Sequence, residues 1–166
     1  MQQIWQRPAH TVIVGGRYQV GWNDSTSRLS RPLTGTVTDQ ECHTDLERFG
    51  VYGYYQWQII EPLRLTAGLS YDSLNFPRNI DTSPISAGHE NKDQVSPKVG
   101  LVLTPWKDAS LRAVYTRSLG GLFFDQSIRL EPTQIAGFNQ AFRSLIPESA
   151  VGLVPGTEFE TAAVGF

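Results

Sequence analysis

Residues 50–72 read GVYGYYQWQIIEPLRLTAGLSYD, and this stretch decides the fold because apolar and more polar side chains alternate along it. The apolar series occupies the odd positions Phe49, Val51, Gly53, Tyr55, Trp57 and Ile59, then Leu63, Leu65, Ala67, Leu69 and Tyr71. The even positions are more polar, and after Glu61-Pro62 they are Arg64, Thr66, Gly68, Ser70 and Asp72. Alternation with a period of two places successive side chains on opposite faces of a sheet. The sequence therefore predicts an antiparallel hairpin with a tight turn at Glu61-Pro62, one apolar face and one polar face.

The same alternation appears on both sides of this hairpin. The further stretches are Thr11–Trp22, Val95–Thr104, Leu111–Thr116 and Glu158–Phe166. In the first of them Ile13 is the one apolar residue on the otherwise polar face. Together with the hairpin, these stretches predict an all-β chain of about six antiparallel strands.

Long and short connections alternate along the chain. Asn23–Glu47, Ser73–Gln94 and Leu119–Thr157 are long and rich in turn-forming residues, whereas Glu61-Pro62 and Pro105–Ala109 are short. Bacterial outer-membrane barrels have short periplasmic turns and long extracellular loops, and loops of this length are uncommon in compact soluble domains. The sequence therefore predicts a segment of an antiparallel, up-and-down transmembrane β-barrel, with its short turns in the periplasm and its long loops outside the cell.

The third long connection contains apolar residues near helical spacing. These are Ile135, Phe138, Phe142 and Leu145, and Thr133 stands where a helix N-cap would be. Threonine is a favourable N-cap residue because its hydroxyl accepts a bond from a free backbone N–H. The pattern predicts a short helix inside this loop.

Aromatic residues gather near the predicted strand ends. Trp22, Phe49 and Tyr71 lie near the outer ends, and Trp57 and Trp106 near the inner ends. Two such belts are typical of membrane barrels, because amphipathic rings favour the headgroup regions. The alternative is that the rings fill the core of a soluble β-sandwich, and the alternation of loop lengths favours the barrel.

Composition excludes several classes of protein. Charged residues make up 18% of the 166 residues and aromatic residues 11%, which argues against a disordered chain. The formal net charge of −2 argues against a nucleic-acid-binding protein, which needs a basic face. Cys42 is the one cysteine, so the chain has no intramolecular disulfide framework. A mean hydropathy of −0.26 is compatible with a membrane barrel, because alternating strands dilute hydropathy.

Three stretches resemble the β-barrel of TonB-dependent outer-membrane receptors. Gly50–Asp72 is similar to a family hairpin in which an aromatic-rich strand and a tight turn precede an LTLTAGLRYD-like strand. SPKVGLVLTPWKDASLRAVYTRS, Ser96–Ser118, is similar to the SPRLGLVYRPTDNLSLYASYSRS type of hairpin. PGTEFETAAVGF, Pro155–Phe166, is similar to the start of a later family strand. After Ser118 the chain departs from the family, which commonly continues with Phe-Arg-x-Pro.

The resemblance implies a location, a role and partners. It implies a bacterial outer-membrane protein, surrounded by outer-membrane lipid, that takes up a scarce solute such as a ferric siderophore, cobalamin or a glycan. Energy would come from a TonB-type coupling protein that acts through a plug domain. The expected partners therefore include lipid, TonB and a small solute, but no nucleic acid.

The predicted strands are too few for a closed barrel. About six strands fall short of the roughly eight that the smallest membrane barrels need, and lipid cannot satisfy the open edges of a sheet. The opening residues MQQIWQRPAH also lack the pattern of a signal peptide. We therefore expect residues 1–166 to be a partial TonB-dependent receptor-like barrel domain, without the plug domain and the signal peptide.

No constellation of residues predicts catalysis or a cofactor. The stretch Asp39–Asp45 contains Cys42 and His43, but adjacent residues rarely converge on one metal ion, so it is interpreted as a solvated acidic loop. No Gly-x-Ser-x-Gly motif occurs. The sequence predicts a protein that is not an enzyme and that has no metal site and no cofactor.

Five charged residues lie on the polar face of the predicted strands. They are Arg17, Arg64, Asp72, Lys98 and Arg112. In a barrel they would face the lumen, where they are candidates to contact an anionic solute or a plug. The alternative is that they line a wet interior, which is the usual role of polar lumen residues.

Other functions fit a barrel fragment or a β-rich chain. A barrel can serve as a passive pore, an adhesin or the membrane anchor of another domain. An outer-membrane barrel enzyme would need a Ser/His or Asp/His set at one rim, and a soluble β-sandwich binding module is a further alternative.

Overall fold

The computed structural model describes residues 1–31, 33, 35–79, 86–120, 130–140 and 156–166. Seven strands form one antiparallel sheet, and two short strands form a separate hairpin. The strands are β1 (Gln2–Arg7), β2 (His10–Arg31), β3 (Thr36–Ile60), β4 (Leu63–Asn79), β5 (Ser86–Trp106), β6 (Ala109–Leu119), β7 (Gln134–Ile135), β8 (Phe138–Asn139) and β9 (Glu158–Gly165). Neighbours in the sheet follow chain order, β1 through β6 and then β9. This confirms the predicted all-β, antiparallel, up-and-down architecture of an incomplete barrel.

The two faces of the sheet differ as the alternation predicts. On the outer face large apolar side chains are open to the surroundings, with Val20 69% and Tyr55 40% exposed. On the inner face Tyr54 is 2% and Ser96 0% exposed. The outer apolar band in β3 runs from Phe49 to Ile59, which matches the ~9–11 residues that a tilted strand needs to cross a bilayer. Within the described ranges, no helix is both long and apolar enough to cross a membrane.

A repeated contact marks one edge of this apolar band. Three outward tyrosines each donate a hydrogen bond to a carboxylate on the adjacent strand. In each pair the carboxylate lies two residues from the tyrosine's cross-strand neighbour, on the side away from the short turns. The pairs are Tyr18–Glu47 at 2.7 Å, Tyr71–Asp93 at 3.3 Å and Tyr115–Glu160 at 2.8 Å. Amphipathic rings with a polar partner are favoured where apolar chains meet headgroups. We call the seven-stranded sheet the wall. The boundary between its apolar band and its charged part therefore lies at these pairs.

The opposite edge of the band carries a second aromatic group. His10 Nδ1 lies 2.7 Å from the Tyr55 hydroxyl, and the His10 ring stacks on Tyr55 and on Trp57. The tight turn at Glu61-Pro62 follows directly, as predicted. The other short turn is Lys107-Asp108, because β5 extends to Trp106 and β6 begins at Ala109.

Two of the predicted loops are largely strand, so these predictions were wrong. The segment Asn23–Glu47 is mostly the paired ends of β2 and β3, which stay in register from Asn23↔Thr44 to Arg31↔Thr36. In Ser73–Gln94, β4 continues to Asn79 and β5 begins at Ser86. These parts of the strands extend beyond the apolar band, where the outward face carries polar and charged residues in place of an apolar series. The backbones remain paired there, and residue alternation cannot detect backbone pairing.

The helix predicted around Thr133 is also wrong over the described residues. Gln134–Ile135 and Phe138–Asn139 pair as a small hairpin, with Ala136 at φ 52° and Gly137 at φ 86° in its turn. Two consecutive left-handed residues cannot continue an α-helix. Phe142 and Leu145 lie outside the described residues. Strand β1 is an addition that the sequence did not predict, and it brings the main sheet to seven strands.

Candidate functional site: the inner face of the wall

The β7–β8 hairpin lies against the inner face of the main sheet. Ile135 is 2% exposed and packs in a cluster with Ile13, Tyr52, Tyr54 and Val114. This explains why Ile13 is apolar on a polar face: it contributes to the surface on which the hairpin rests. A Cβ at Gly100 would lie 2.4 Å from Ile135 Cγ2, so the absence of a side chain there lets the hairpin reach the wall.

A buried ion pair connects the hairpin segment to the wall. Glu131 pairs with Lys98 and accepts a hydrogen bond from the Tyr54 hydroxyl. Lys98 Nζ lies 3.0 Å from the same hydroxyl, and Gln140 Nε2 donates to it at 3.1 Å. The side chains of Lys98 and Glu131 are 1% and 7% exposed. Such a pair is costly to break, because removing one partner leaves a buried charge without compensation.

The position of Tyr54 depends on a glycine. Tyr54 in β3, Gly68 in β4 and Lys98 in β5 are consecutive cross-strand neighbours. A Cβ on Gly68 would lie 2.5 Å from the Tyr54 ring, so the ring lies flat across Gly68 and its hydroxyl reaches Lys98. The wall itself therefore places the ammonium and the phenol side by side.

A second charged cluster lies nearer the charged end of the strands. Arg48 Nη2 and Nε lie 2.8 and 3.2 Å from Asp72 Oδ1, and Arg17 Nη2 lies 3.3 Å from the same oxygen. Arg48 also donates to the Leu119 carbonyl at 3.4 Å. Because the Arg48 side chain is 1% exposed, its ion pair with Asp72 is part of the packed interior rather than a surface contact.

The structure brings some of the five predicted lumen residues together and separates others. Arg17 and Asp72 share one cluster, and Lys98 forms the centre of the other. Arg64 lies near the Glu61-Pro62 turn, where its Nε donates to Gln58 Oε1 at 2.9 Å. Arg112 lies against Gly137 at the tip of the hairpin. All five lie at inward positions of their strands, and their role as solute-binding residues stays a prediction.

Four residues of these clusters were missed from the sequence: Arg48, Tyr54, Glu131 and Gln140. Arg48 occupies an inward position of β3, and extending the alternation one step before Phe49 would have found it. Tyr54 was assigned to the polar face but not to a site. Glu131 lies in the longest connection, where no periodic pattern relates it to Lys98.

A third charged group lies on the part of the wall beyond the apolar band. His43 Nδ1 is 2.5 Å from Asp24 Oδ1, and its Nε2 is 3.7 Å from Asp45 Oδ1. The hydrogen bond to Asp24 raises the pKa of His43 above its usual value. Across the described residues, no three His, Cys, Asp or Glu side chains form a group that could hold a metal ion.

Comparison with protein families identifies one match. Residues 2–151 match a family described as TonB dependent receptor-like, beta-barrel. Comparisons with curated proteins and with solved structures found no match.

Proposed function

The chain belongs to the TonB-dependent receptor-like β-barrel family, and from this premise we propose that it forms part of the wall of a receptor that takes up a scarce solute with energy from TonB. The family is one of outer-membrane transport proteins rather than of enzymes. The solutes that suit this proposal are a ferric siderophore, cobalamin or a glycan.

The observation that carries the proposal is the contrast between the two faces of the sheet. The outer face exposes an apolar band of bilayer-spanning length, bounded by aromatic residues at both edges. The inner face buries fixed charges such as Arg48 and Lys98. An outward apolar band around a polar interior is the arrangement of a transmembrane barrel.

The proposal includes an orientation. The short turns at Pro8-Ala9, Glu61-Pro62 and Lys107-Asp108 all lie at one end of the strands. We assign this end to the periplasm, because short turns are periplasmic in such barrels. The extended β2–β3 pair, with Asp24 and His43, then projects outside the cell.

The proposal also includes a larger assembly. Strands β1 and β9 are the two edges of the sheet and do not pair with each other. Lipid cannot hydrogen-bond their free backbone groups, so further strands must close the wall. Residues 1–166 are on this account a partial barrel domain, which works with a plug domain that receives energy from TonB.

The inward charges are the proposed contacts for solute or plug. Arg17 and Asp72 form one proposed contact, and Lys98 another, while Arg64 and Arg112 lie closer to the periplasmic end. Their positions on the inner face support this proposal.

The test is uptake by cells that express the full-length gene. We expect the protein in the outer-membrane fraction, with a mobility on gels that changes on boiling. We expect accumulation of labelled ferric siderophore, cobalamin or glycan in cells with TonB and none in otherwise identical cells without it. Accumulation that is equal in both strains would indicate a passive pore, and a soluble protein would contradict the membrane location.

A further inference from the structure

Two side chains of the wall bind a carboxylate from a segment outside the main sheet. Lys98 and Tyr54 come from strands β5 and β3, and Gly68 between them keeps the phenol flat and close to the ammonium. Lys98 Nζ also lies 5.6 Å from the centre of the Tyr54 ring. The carboxylate that both groups bind belongs to Glu131, which precedes the β7–β8 hairpin.

We propose that Lys98 and Tyr54 form a carboxylate-binding site on the inner wall, which Glu131 occupies until a carboxylate-bearing solute displaces it. An ammonium and a hydroxyl that converge on one carboxylate provide two charge-assisted hydrogen bonds. Both groups are buried, so the site recognises a carboxylate in surroundings where that interaction is weakly screened.

Burial of Lys98 explains why the exchange needs an anion. Withdrawal of Glu131 alone would take the carboxylate of this ion pair away from a buried ammonium, which is strongly unfavourable. A solute carboxylate removes that penalty by taking the place of Glu131. Since Glu131 and Gln140 both bond to Tyr54, the exchange also weakens the attachment of the hairpin to the wall.

This site rests on the proposed function in one respect, because the solute that displaces Glu131 is the one that the receptor transports. The site itself can be tested without transport. Acetate has the same carboxylate group as a glutamate side chain and is small enough to take its place.

The experiment measures heat stability of the purified full-length protein in detergent, in acetate or chloride of equal ionic strength. In Glu131→Ala the carboxylate is removed and Lys98 remains. We expect a lower Tm than in the parent, and we expect acetate to restore most of the loss. Acetate should leave the parent unchanged, because Glu131 already fills the site.

Two variants serve as matched controls. The double variant Lys98→Met/Glu131→Ala lacks the ammonium, so acetate should give no recovery. Glu158→Ala removes the carboxylate of an exposed pair with Arg117, so acetate should not raise its Tm either. Recovery that is equal in all variants, or recovery that persists without Lys98, would overturn the proposal.

A second measurement applies if Glu131→Ala folds poorly. The variant is refolded in acetate or in chloride, and the folded fraction is read from the heat-dependent mobility on gels. More folded protein in acetate for Glu131→Ala, but not for the double variant, supports the site, and equal yields contradict it. Absence of TonB-dependent uptake by the parent protein would overturn the proposed function but would not affect the acetate result.

Discussion

At the scale of single residues, the inner wall is held by a few buried charges whose partners come from distant parts of the chain. Lys98 and Glu131 are 33 residues apart, and Arg48 and Asp72 are 24 apart. Alternation in the sequence correctly predicts that Lys98 and Asp72 face inward. It does not identify Glu131 as the partner of Lys98, because that pairing depends on how a connection without periodicity folds back onto the sheet. Arg48, the partner of Asp72, lies on the adjacent strand β3, one step before the predicted apolar series.

A double-mutant cycle tests the Lys98–Glu131 pair. Lys98→Met or Glu131→Gln should each lower the free energy of unfolding by about 3–5 kcal/mol, because each removes the opposite charge of a buried ion pair. The double variant should lose less than the sum of the two. Denaturant unfolding of the full-length protein gives these values, and additive losses would show that the two side chains do not interact.

The flat position of Tyr54 gives a second prediction at this scale. Gly68→Ala places a Cβ 2.5 Å from the Tyr54 ring, and we expect a loss of about 1–3 kcal/mol from the forced shift. Gly53→Ala is the matched control, because nothing lies within 4 Å of the new Cβ. Equal stability of the two variants, measured in the same denaturant series, would count against the described packing.

At the scale of elements, prediction succeeded where an apolar face was required and failed where it was not. The hairpin around Glu61-Pro62 was predicted because its outward face carries an apolar series along β3 and β4. Beyond the apolar band, β2 continues to Arg31 and β3 begins at Thr36, and the outward face there is polar. The sequence there resembles a loop, although β2 and β3 pair with each other along this whole segment. The β7–β8 hairpin was missed because its apolar residues happen to fall near helical spacing.

The pairing of β2 with β3 beyond the apolar band places His43 beside Asp24, which predicts a pH effect. Because the hydrogen bond to Asp24 raises the pKa of His43, this contact stabilises the folded pair below the unfolded pKa of about 6.5. The contribution is then lost as pH rises through the higher folded value. NMR titration should give a pKa above that of an unfolded histidine, and Asp24→Asn should lower it. An unchanged pKa in that variant would exclude the contact.

At the scale of the whole molecule, the described part of the chain forms a two-faced wall of seven strands. The family match extends over residues 2–151. The apolar outer band and the buried inner charges of the wall are the physical features that agree with this match. Among the described residues, β1 and β9 are the edge strands of the sheet, which agrees with the prediction that the strands are too few for a closed barrel.

The apolar band predicts a depth-dependent response to charge. Val99 is an outward residue of β5 within the band and is 46% exposed. Val99→Arg should cost about 2–4 kcal/mol of stability in a bilayer, because arginine near the midplane is poorly solvated. Thr26→Arg, on the exposed part of β2 beyond the band, should be close to neutral. Equal effects of the two substitutions in lipid vesicles would contradict the assigned membrane position.

The most direct test of the two-faced wall is accessibility along β3 in the outer membrane. Single cysteines from Phe49 to Ile59 are introduced into the full-length protein after Cys42→Ser, and each is labelled with a lipid-soluble and a water-soluble thiol reagent. We expect alternation: the lipid-soluble reagent should label the odd positions, such as Val51 and Tyr55, and spare the even positions, such as Tyr52 and Tyr54. Uniform labelling along the strand, or labelling of the odd positions by the water-soluble reagent alone, would contradict it.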